Sequence, residues 1–563
     1  MTTSLIIPPA VILIAAGLAI PFLRGALRTT LLLAAPIIAL LLIWQIPDGV
    51  QLSTSWLGYE LQIVRGDKLA RLFATVFAIM AFGGGLFSLN QSNSLELGAA
   101  YVYAGGALGV TFAGDLISVF VFWEVMAVAS TFVVWSGGRA ANGAGLRYAA
   151  IHMLGGVLLM AGITAEILST GSAAFQVMDT STPARWLILA GFLINAGAPP
   201  LSAWLPDAYP AASWSGTVFL SAFTTKTAVY VLMRGFPGAE ILIFVGLYMV
   251  FYGIVYAILE NDMRRILAYS IVNQVGFMVT GIGIGSEMAL NGAAAHAFTH
   301  IIYKALLLMS AGSVLLMTGR SKCTDLGGLF RTMPFTMVMG VIGALAISAF
   351  PLTSGFISKS MISQGAADAH LAIVWFLLAA ASAGVFLHAG IKFPWFVFFQ
   401  KDSGLRPPEP PWNMRAGMLL MAAFCIGLGV APGPLYEILP YPVDYVPYTA
   451  SHVVFQLQLL LFSGLAFFVM LGMLKRTRTI TLDFDWLYRR PGKWIMLRLN
   501  QFSEKFWDGL TGGVSETFSS LDASLRRYHG PKGVFGRTWP TGQMAFWTTV
   551  MLGTYVLLGL IWM

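Results

Sequence analysis

Ionisable side chains stand inside apolar stretches of this chain at Glu124, His152, Lys226, His296, His300, Lys304, Lys359, His388 and Lys392. At bilayer depth such a residue costs about 2.5–3.5 kcal/mol and is functional by default. Glu124 (VFVFWEVMAVAS) and Lys226 (SAFTTKTAVYVL) lie mid-block, too deep to reach the headgroups easily. Lys392 is near a block end, where snorkelling explains it as well as function does. His152 and His388 read as polar groups satisfied between helices. In HAFTHIIYK, the i, i+4, i+8 spacing puts His296, His300 and Lys304 on one helix face, about 6 Å apart per step. Two histidines at i, i+4 also suit a metal ion. The lysine one turn on, with no carboxylate or cysteine nearby, favours a proton wire instead. A helix–helix hydrogen-bonding stripe is the plainer alternative.

Two apolar blocks are interrupted in a matching way. NAGAPPLSAWLPDAYP (195–210) and SAFPLTSGFISKSMI (348–362) each hold Pro-Leu-Ser/Thr within an apolar run. Proline removes a backbone donor and breaks a helix. Unwound backbone at membrane depth survives only when buried in protein or lining a watery cavity. Paired broken helices in corresponding halves point to an ion path. The predicted helix breaks are Pro199 and Pro200 in the first block, and Pro351 and Gly355 in the second. Lys226 follows the first break in the next span, and Lys359 follows the second by two turns.

These residues need membrane helices to hold them. Of 563 residues, 57% are apolar and 10% charged, and the mean hydropathy is +0.76. Such a chain has no polar skin for a soluble enzyme and is not a disordered scaffold. The net charge of +8 does not indicate a nucleic-acid-binding domain, because the basic residues cap apolar blocks and are not set among stacking aromatics. Cys323 and Cys425 lie far apart, one in a loop and one in an apolar block, so neither a disulfide nor cysteine chemistry is expected.

Sixteen spans are predicted, at about 4–24, 28–46, 69–88, 95–113, 115–136, 146–168, 185–204, 213–234, 238–260, 264–285, 288–318, 333–366, 370–399, 413–433, 449–474 and 543–562. The first lacks a basic n-region and does not read as a cleaved signal peptide. With the N-terminus outside, 24 of the 33 Lys and Arg residues fall on the inside and 5 on the outside. Both termini are therefore expected outside and 475–538 in the cytoplasm, in an inner cell membrane. Segment 47–68 alternates apolar and polar residues and predicts a small external hairpin.

At these residues the chain resembles the proton-translocating, antiporter-like membrane subunits shared by respiratory complex I and the Mrp-type multisubunit cation/proton antiporters. The matching stretches are FVFWE around Glu124, PPLSAWLPDAYP at 199–210, LSAFTTKTAVYVLMR around Lys226, NDMRRILAYSIVNQVGF at 261–277, HAFTHIIYKALLLMSAGSV at 296–314 and FPLTSGFISKSMI at 350–362. They follow in order over about residues 65–430, and the flanking sequence is most similar to the D-type subunits of the Mrp-type antiporters. The resemblance implies an all-α polytopic fold with about sixteen transmembrane helices. Fourteen form a core with two inverted five-helix repeats containing broken helices, followed by a C-terminal amphipathic helix and a final span. The implied segments are 1–94 (first helices and hairpin), 95–234 and 238–399 (the repeats), 400–474 (last core helices) and 475–563 (interfacial segment and last span).

The resemblance further implies that Glu124, Lys226, Lys304 and Lys359 handle protons, with His296 and His300 extending the path. Many relatives carry lysine where this chain has Asn195. Glu124 then lacks its usual partner, unless Lys226 takes over the pairing, and Asn195 is a possible carbonyl contact for a sodium ion. No metal centre or cofactor is expected, since the chain shows no cysteine cluster and no dinucleotide-binding glycine loop. The expected function is a proton-translocating subunit of a Na+/proton antiporter, with other membrane subunits as partners and the lipid bilayer as solvent. The alternatives are a proton-pumping subunit of a complex I-like NADH:quinone oxidoreductase and an energy-coupling subunit for uptake of a solute such as inorganic carbon. After residue 475, Leu499, Phe502, Phe506, Leu510, Val514, Phe518, Leu521 and Leu525 form one apolar face about 40 Å long, which Gly509, Gly512 and Gly513 could break. The resemblance implies an in-plane helix bracing neighbouring subunits; an ordinary surface-lying helix is the alternative.

Overall fold

The computed structural model describes residues 7–474, 477, 482–536 and 538–562, without the side chains of Lys493 and Leu510. Much of the basic stretch that begins at 475 therefore lies outside the described residues. Each of the sixteen predicted stretches contains a helix among the described residues. Among the described residues, 12 helices are long and apolar enough to cross a membrane, and the shorter apolar helices include Pro9–Phe22, Pro183–Ala196 and Pro334–Ile347.

Helices α1 (Pro9–Ala19) and α2 (Gly25–Ile43) lead into a hairpin of β1 (Gly49–Trp56) and β2 (Tyr59–Gly66). The strands pair antiparallel from Gly49↔Gly66 to Trp56↔Tyr59. Leu57 and Gly58 both have positive φ, the geometry of a tight two-residue turn that matches strand twist. Then come α3 (Lys68–Phe87), α4 (Ser94–Phe112), α5 (Leu116–Trp135), α6 (Asn142–Thr170), α7 (Pro183–Ala196), α8 (Trp204–Ala208), α9 (Gly216–Leu220) and α10 (Thr224–Gly235). Helices α11 (Ile241–Leu259), α12 (Met263–Ile284), α13 (Glu287–Thr318), α14 (Pro334–Ile347), α15 (Ser354–Asp368) and α16 (Ala372–Val385) follow. Helix α16 runs on into wide π-helical turns at Phe386–Lys392 and Trp395–Phe399. The remaining helices are α17 (Trp412–Val430), α18 (Gly433–Glu437), α19 (Ala450–Val469), α20 (Asp485–Arg489), α21 (Pro491–His529) and α22 (Thr541–Ile561).

The chain forms two compact units, one up to Asp485 and one from Trp486. In the first, α12 is buried at every residue but Arg265 and Ile284 and packs against α11, α13 and α15. The connections gather at two ends. At one end, Arg234 pairs with Asp67 at 2.5 Å, Arg65 donates to the Phe175 carbonyl, and the backbone of Met178 donates to Gly235. At the other, Arg147 pairs with Asp207 at 2.7 Å, Lys322 with Asp262 at 3.7 Å, and Arg331 with Asp402 at 3.1 Å.

In the second unit, α21 is continuous over 39 residues, so Gly509, Gly512 and Gly513 do not break it. Its length is about 58 Å at 1.5 Å per residue. Leu499, Phe502, Phe506, Val514, Phe518, Leu521 and Leu525 are all exposed along it.

Among the described residues of the first unit, three interruptions lie within predicted spans. Gly197, with φ of 81°, ends α7, and the Pro199–Pro200 bond beyond it is cis. Between α14 and α15, Ala349 and Leu352 adopt positive φ, a conformation that non-glycine residues hold only when their surroundings enforce it. Pro351 lies in this second break. Gly355 does not: it sits in the first turn of α15, where a β-carbon would collide with the Ala346 carbonyl. It is there for close packing. The third break, Ser221–Phe223 between α9 and α10, carries neither proline nor glycine.

Candidate functional site

The third break is held open by hydroxyl groups. The Thr224 backbone N–H, left without a helical acceptor, donates to the Tyr103 hydroxyl at 2.7 Å. The Tyr103 and Thr224 hydroxyls pair at 2.5 Å, and Tyr148 reaches Thr224 at 3.4 Å and Ser130 at 2.9 Å. The interruption frees the Ser221 carbonyl, which accepts from Lys226 Nζ at 2.5 Å; Thr225 Oγ1 accepts a second bond at 3.1 Å. Lys226 is fully buried and faces neutral oxygens.

Lys359 repeats this arrangement across the break between α14 and α15. Its Nζ donates to the Ile347 carbonyl, the last of α14, at 3.0 Å and lies 4.9 Å from the centre of the Phe277 ring. Gln456 of α19 donates to the next free carbonyl, Ser348, at 3.2 Å. A cavity of about 310 Å³ opens beside Lys359 and is lined also by Ser360, Gln364, Tyr445, His452 and Gln456.

Between these two lysines runs the histidine face of α13. His296 Nε2 pairs with Gln274 Oε1 and His296 Nδ1 with Ser358 Oγ, both at 3.0 Å. Tyr303 donates to Gln274 at 3.1 Å, and Thr299 meets Ser358 at 2.9 Å. Lys304 Nζ donates to Ser270 Oγ at 3.0 Å and lies 3.4 Å from the Leu267 carbonyl. The rings of His296 and His300 are 6.2 Å apart, as their spacing predicts. Both His300 nitrogens are buried without a hydrogen-bond partner among the described residues, directly between His296 and Lys304 in sequence. Helix α10, which bears Lys226, packs against both α12 and α13.

Glu124 stands apart from this row. Its Oε1 is buried and unpartnered among the described residues, and its carboxylate lies against Gly156, where a β-carbon would strike it. The ammonium of Lys226 is engaged at Ser221 and Thr225, so Lys226 has not taken over the pairing with Glu124. Asn195 lies near the end of α7 with its Oδ1 buried and unpartnered among the described residues, across from Gly155. Glu124 and Asn195 thus face neighbouring glycines of α6.

The remaining buried groups correct the sequence reading. Lys392 does not snorkel. It is 1% exposed, and its Nζ donates to the carbonyls of Ala257, Ile258 and Glu260 at 2.6, 2.8 and 2.6 Å. It caps the C-terminal end of α11, where a cation is favoured. His388 is satisfied at Nδ1 by the Gly384 carbonyl at 2.8 Å but not at Nε2. His152 makes no geometric hydrogen bond among the described residues; its ring lies 4.0 Å from that of Tyr148 and 4.7 Å from that of Trp204.

Sequence reasoning passed over Gln274, Ser358, Tyr303, Ser270, Tyr103, Tyr148 and Thr224, because a neutral hydroxyl or amide costs little enough in a span to raise no flag. Their signal is position: Ser270 and Gln274 are one turn apart on α12, in step with Lys304 and His296 on the neighbouring helix.

Residues 113–386 match the family described as NADH:quinone oxidoreductase/Mrp antiporter, TM. The D subunit of the Na(+)/H(+) antiporter of Alkalihalophilus pseudofirmus is 30% identical over 430 residues, which are 70% of this chain and 83% of that protein. The N subunit of the NADH-quinone oxidoreductase of Desulforudis audaxviator is 32% identical over 285 residues, 47% of this chain and 57% of that one. Among solved structures, a chain of the Mrp complex from Dietzia sp. DQ12-45-1b superposes with a TM-score of 0.75 at 22% identity. The match covers 92% of this chain and 62% of that chain.

Proposed function

Because the chain belongs to the membrane-subunit family shared by Mrp antiporters and NADH:quinone oxidoreductases, we propose that it is the proton-translocating subunit of a multisubunit Na+/proton antiporter. The observation that carries this reading is the row of buried proton carriers from Lys226 through Lys304, His300 and His296 to Lys359, all of them hydrogen-bonded except His300. Each lysine is held by neutral oxygens, with no carboxylate paired to it among the described residues. An ammonium in such a site has little to keep its charge in place, so a charge arriving at its neighbour displaces its proton. His296, bonded on both ring nitrogens, can accept a proton on one side and release it on the other. Glu124, set apart from this row, is assigned the entry of the path, and Asn195 offers a carbonyl oxygen to the exchanged cation. The partners are further membrane subunits, as for the relatives.

Everted membrane vesicles test the proposal. Adding NaCl should drive proton efflux in the wild type, whereas Glu124→Gln should show little efflux at normal membrane abundance. Wild-type efflux in that variant would remove Glu124 from the path. The similarity to a NADH-quinone oxidoreductase subunit keeps a second reading, a proton-pumping subunit of a complex I-like assembly. Purification in mild detergent separates the two: small antiporter subunits should co-purify under the first reading, and iron–sulfur and quinone-site subunits under the second.

A further inference from the structure

The cavity beside Lys359 has a second proton carrier on its wall, His452, which the sequence did not single out. His452 lies in the first turn of α19, three residues after the cap residue Thr449. Its Nδ1 is 2.7 Å from the Pro447 carbonyl. A carbonyl only accepts, so Nδ1 carries the hydrogen and Nε2 is left as the exchangeable site of the neutral ring. The ring is stacked on Phe356 at 4.5 Å and 21°, which fixes its plane, and Phe356 lies less than one turn before Lys359 on α15. Phe356 also stacks with Tyr448 at 5.1 Å. The His452 ring is therefore held by a carbonyl and an aromatic face at a position where it borders the same cavity as the Lys359 ammonium.

The chemistry of the wall narrows what passes. Ser360, Gln364, Tyr445, Thr449 and Gln456 supply hydroxyls and amides, which suit a chain of water molecules. The titratable groups bordering the cavity are Lys359, Tyr445 and His452, with Tyr448 against Phe356 and Asp368 near Tyr445. Among the described residues, no carboxylate lines the cavity itself. A metal cation would meet an ammonium and no compensating negative charge, whereas a proton passes between neutral groups by exchange.

We propose that His452 is a proton-exchange residue that passes protons between Lys359 and the solvent at the 438–449 loop, through a watery vestibule that admits protons and excludes Na+. This rests on the proposed proton-translocating function. The test uses the full chain with its native partners in everted vesicles. His452→Ala should lower proton flux about a hundredfold or more, the range expected for loss of a proton-transfer group, and imidazole added to the medium should restore most of it. His452→Gln keeps a donor for the Pro447 carbonyl but cannot carry a proton, and should be equally slow. Unchanged flux in either variant, or a loss in His452→Ala that imidazole does not relieve, would overturn the relay role. A second measurement does not depend on transport. A cysteine at Ser363, on the same wall, should react with a membrane-impermeant thiol reagent from the side of the 438–449 loop; failure to react would overturn the vestibule. Absence of flux in the wild type would instead refute the functional reading and the relay with it, while labelling at position 363 would still report the water.

Discussion

The Lys226 ammonium sits 2.5 Å from the carbonyl oxygen of Ser221, the residue at which α9 gives way. Lys359 holds the Ile347 carbonyl in the same manner at 3.0 Å. In both places a helix stops, a carbonyl loses its backbone partner, and a lysine from the following helix takes it up. The lysine thus satisfies the broken backbone, and the break supplies the lysine with a polar seat inside an apolar bundle.

Lys226→Gln should therefore separate the two roles. The amide can still donate to Ser221 but cannot carry a proton, so abundance and thermal stability should stay near wild type while cation-driven proton flux is lost. Lys226→Ala also leaves the carbonyl unpaired and should cost about 1–3 kcal/mol further. Thermal inactivation in detergent, measured alongside flux, distinguishes the variants. Equal stability of Ala and Gln would mean that the Ser221 contact contributes nothing.

Gly156→Ala should mimic a change at Glu124 without touching a charge. The added methyl would meet the Glu124 carboxylate, and overpacking of this kind costs about 1–3 kcal/mol. We expect the protein to reach the membrane at somewhat reduced levels, with flux per molecule cut as strongly as in Glu124→Gln. Gly143→Ala, near the exposed start of α6, should be silent in the same assay. Normal flux per molecule in Gly156→Ala would show that the carboxylate's position is not critical.

Lys359→Ala should abolish cation-dependent proton efflux, since neither a methyl group nor a water molecule can hold the charge there. Asn195→Ala should be milder, and Asn195→Lys should be tolerated. Near-normal efflux in Lys359→Ala combined with total loss in Asn195→Ala would reverse the assignment of the two halves.

Single cysteines at Asp444 and Lys401, in a background without Cys323 and Cys425, should react from opposite sides of the membrane. Position 444 should label from outside and position 401 from inside. Labelling of both from one side would contradict the charge-based orientation.

The 402–406 turn carries a pH signature. Asp402 accepts from Arg406 at 2.7 Å and also meets Arg331, and the Arg406 hydrogen bonds, helped by the Gly404 N–H, hold its carboxyl well below the usual carboxylate range. A depressed folded value means that this contribution is complete above the unfolded value of about 3.9 and fades only as pH falls toward the folded one. Protease nicking of the 400–406 loop should thus be the same at pH 5 and pH 8. In Asp402→Asn it should be faster at both. A rise in wild-type nicking between pH 8 and pH 5 would argue against the assignment.

The charged members of the site were legible because a lysine or carboxylate within an apolar block is conspicuous, and the HAFTHIIYK spacing gave the histidine face directly. The 47–68 hairpin was legible from alternation. The Ser221–Phe223 break was not, because its cause is remote: Tyr103 on α4 supplies the acceptor that lets the Thr224 N–H, at the start of α10, do without a backbone partner. Gly355 misled for the opposite reason, since glycine marks close approach as readily as a break, and here the Ala346 carbonyl is what it makes room for. Lys392 looked like a headgroup anchor because its distance from a span end was visible in sequence while the three carbonyls at the end of α11 were not.

The wide turn at Phe386–Lys392 gives this chain slack in length where the helix before it has none. A π-helical turn behaves as an α-helix with a residue inserted. Deleting one residue there would let ordinary α-helical geometry return with the residues on either side still in register. Deleting one from α16 instead would rotate everything beyond it by about 100° about the helix axis. Lys392 would then swing away from the end of α11, and three carbonyls would lose their donor. A single-residue deletion at 386–392 should thus be better tolerated than one at 372–385. The register of Lys392 is an inherited quantity, set by the number of residues in the regular helix and buffered by the wide turn.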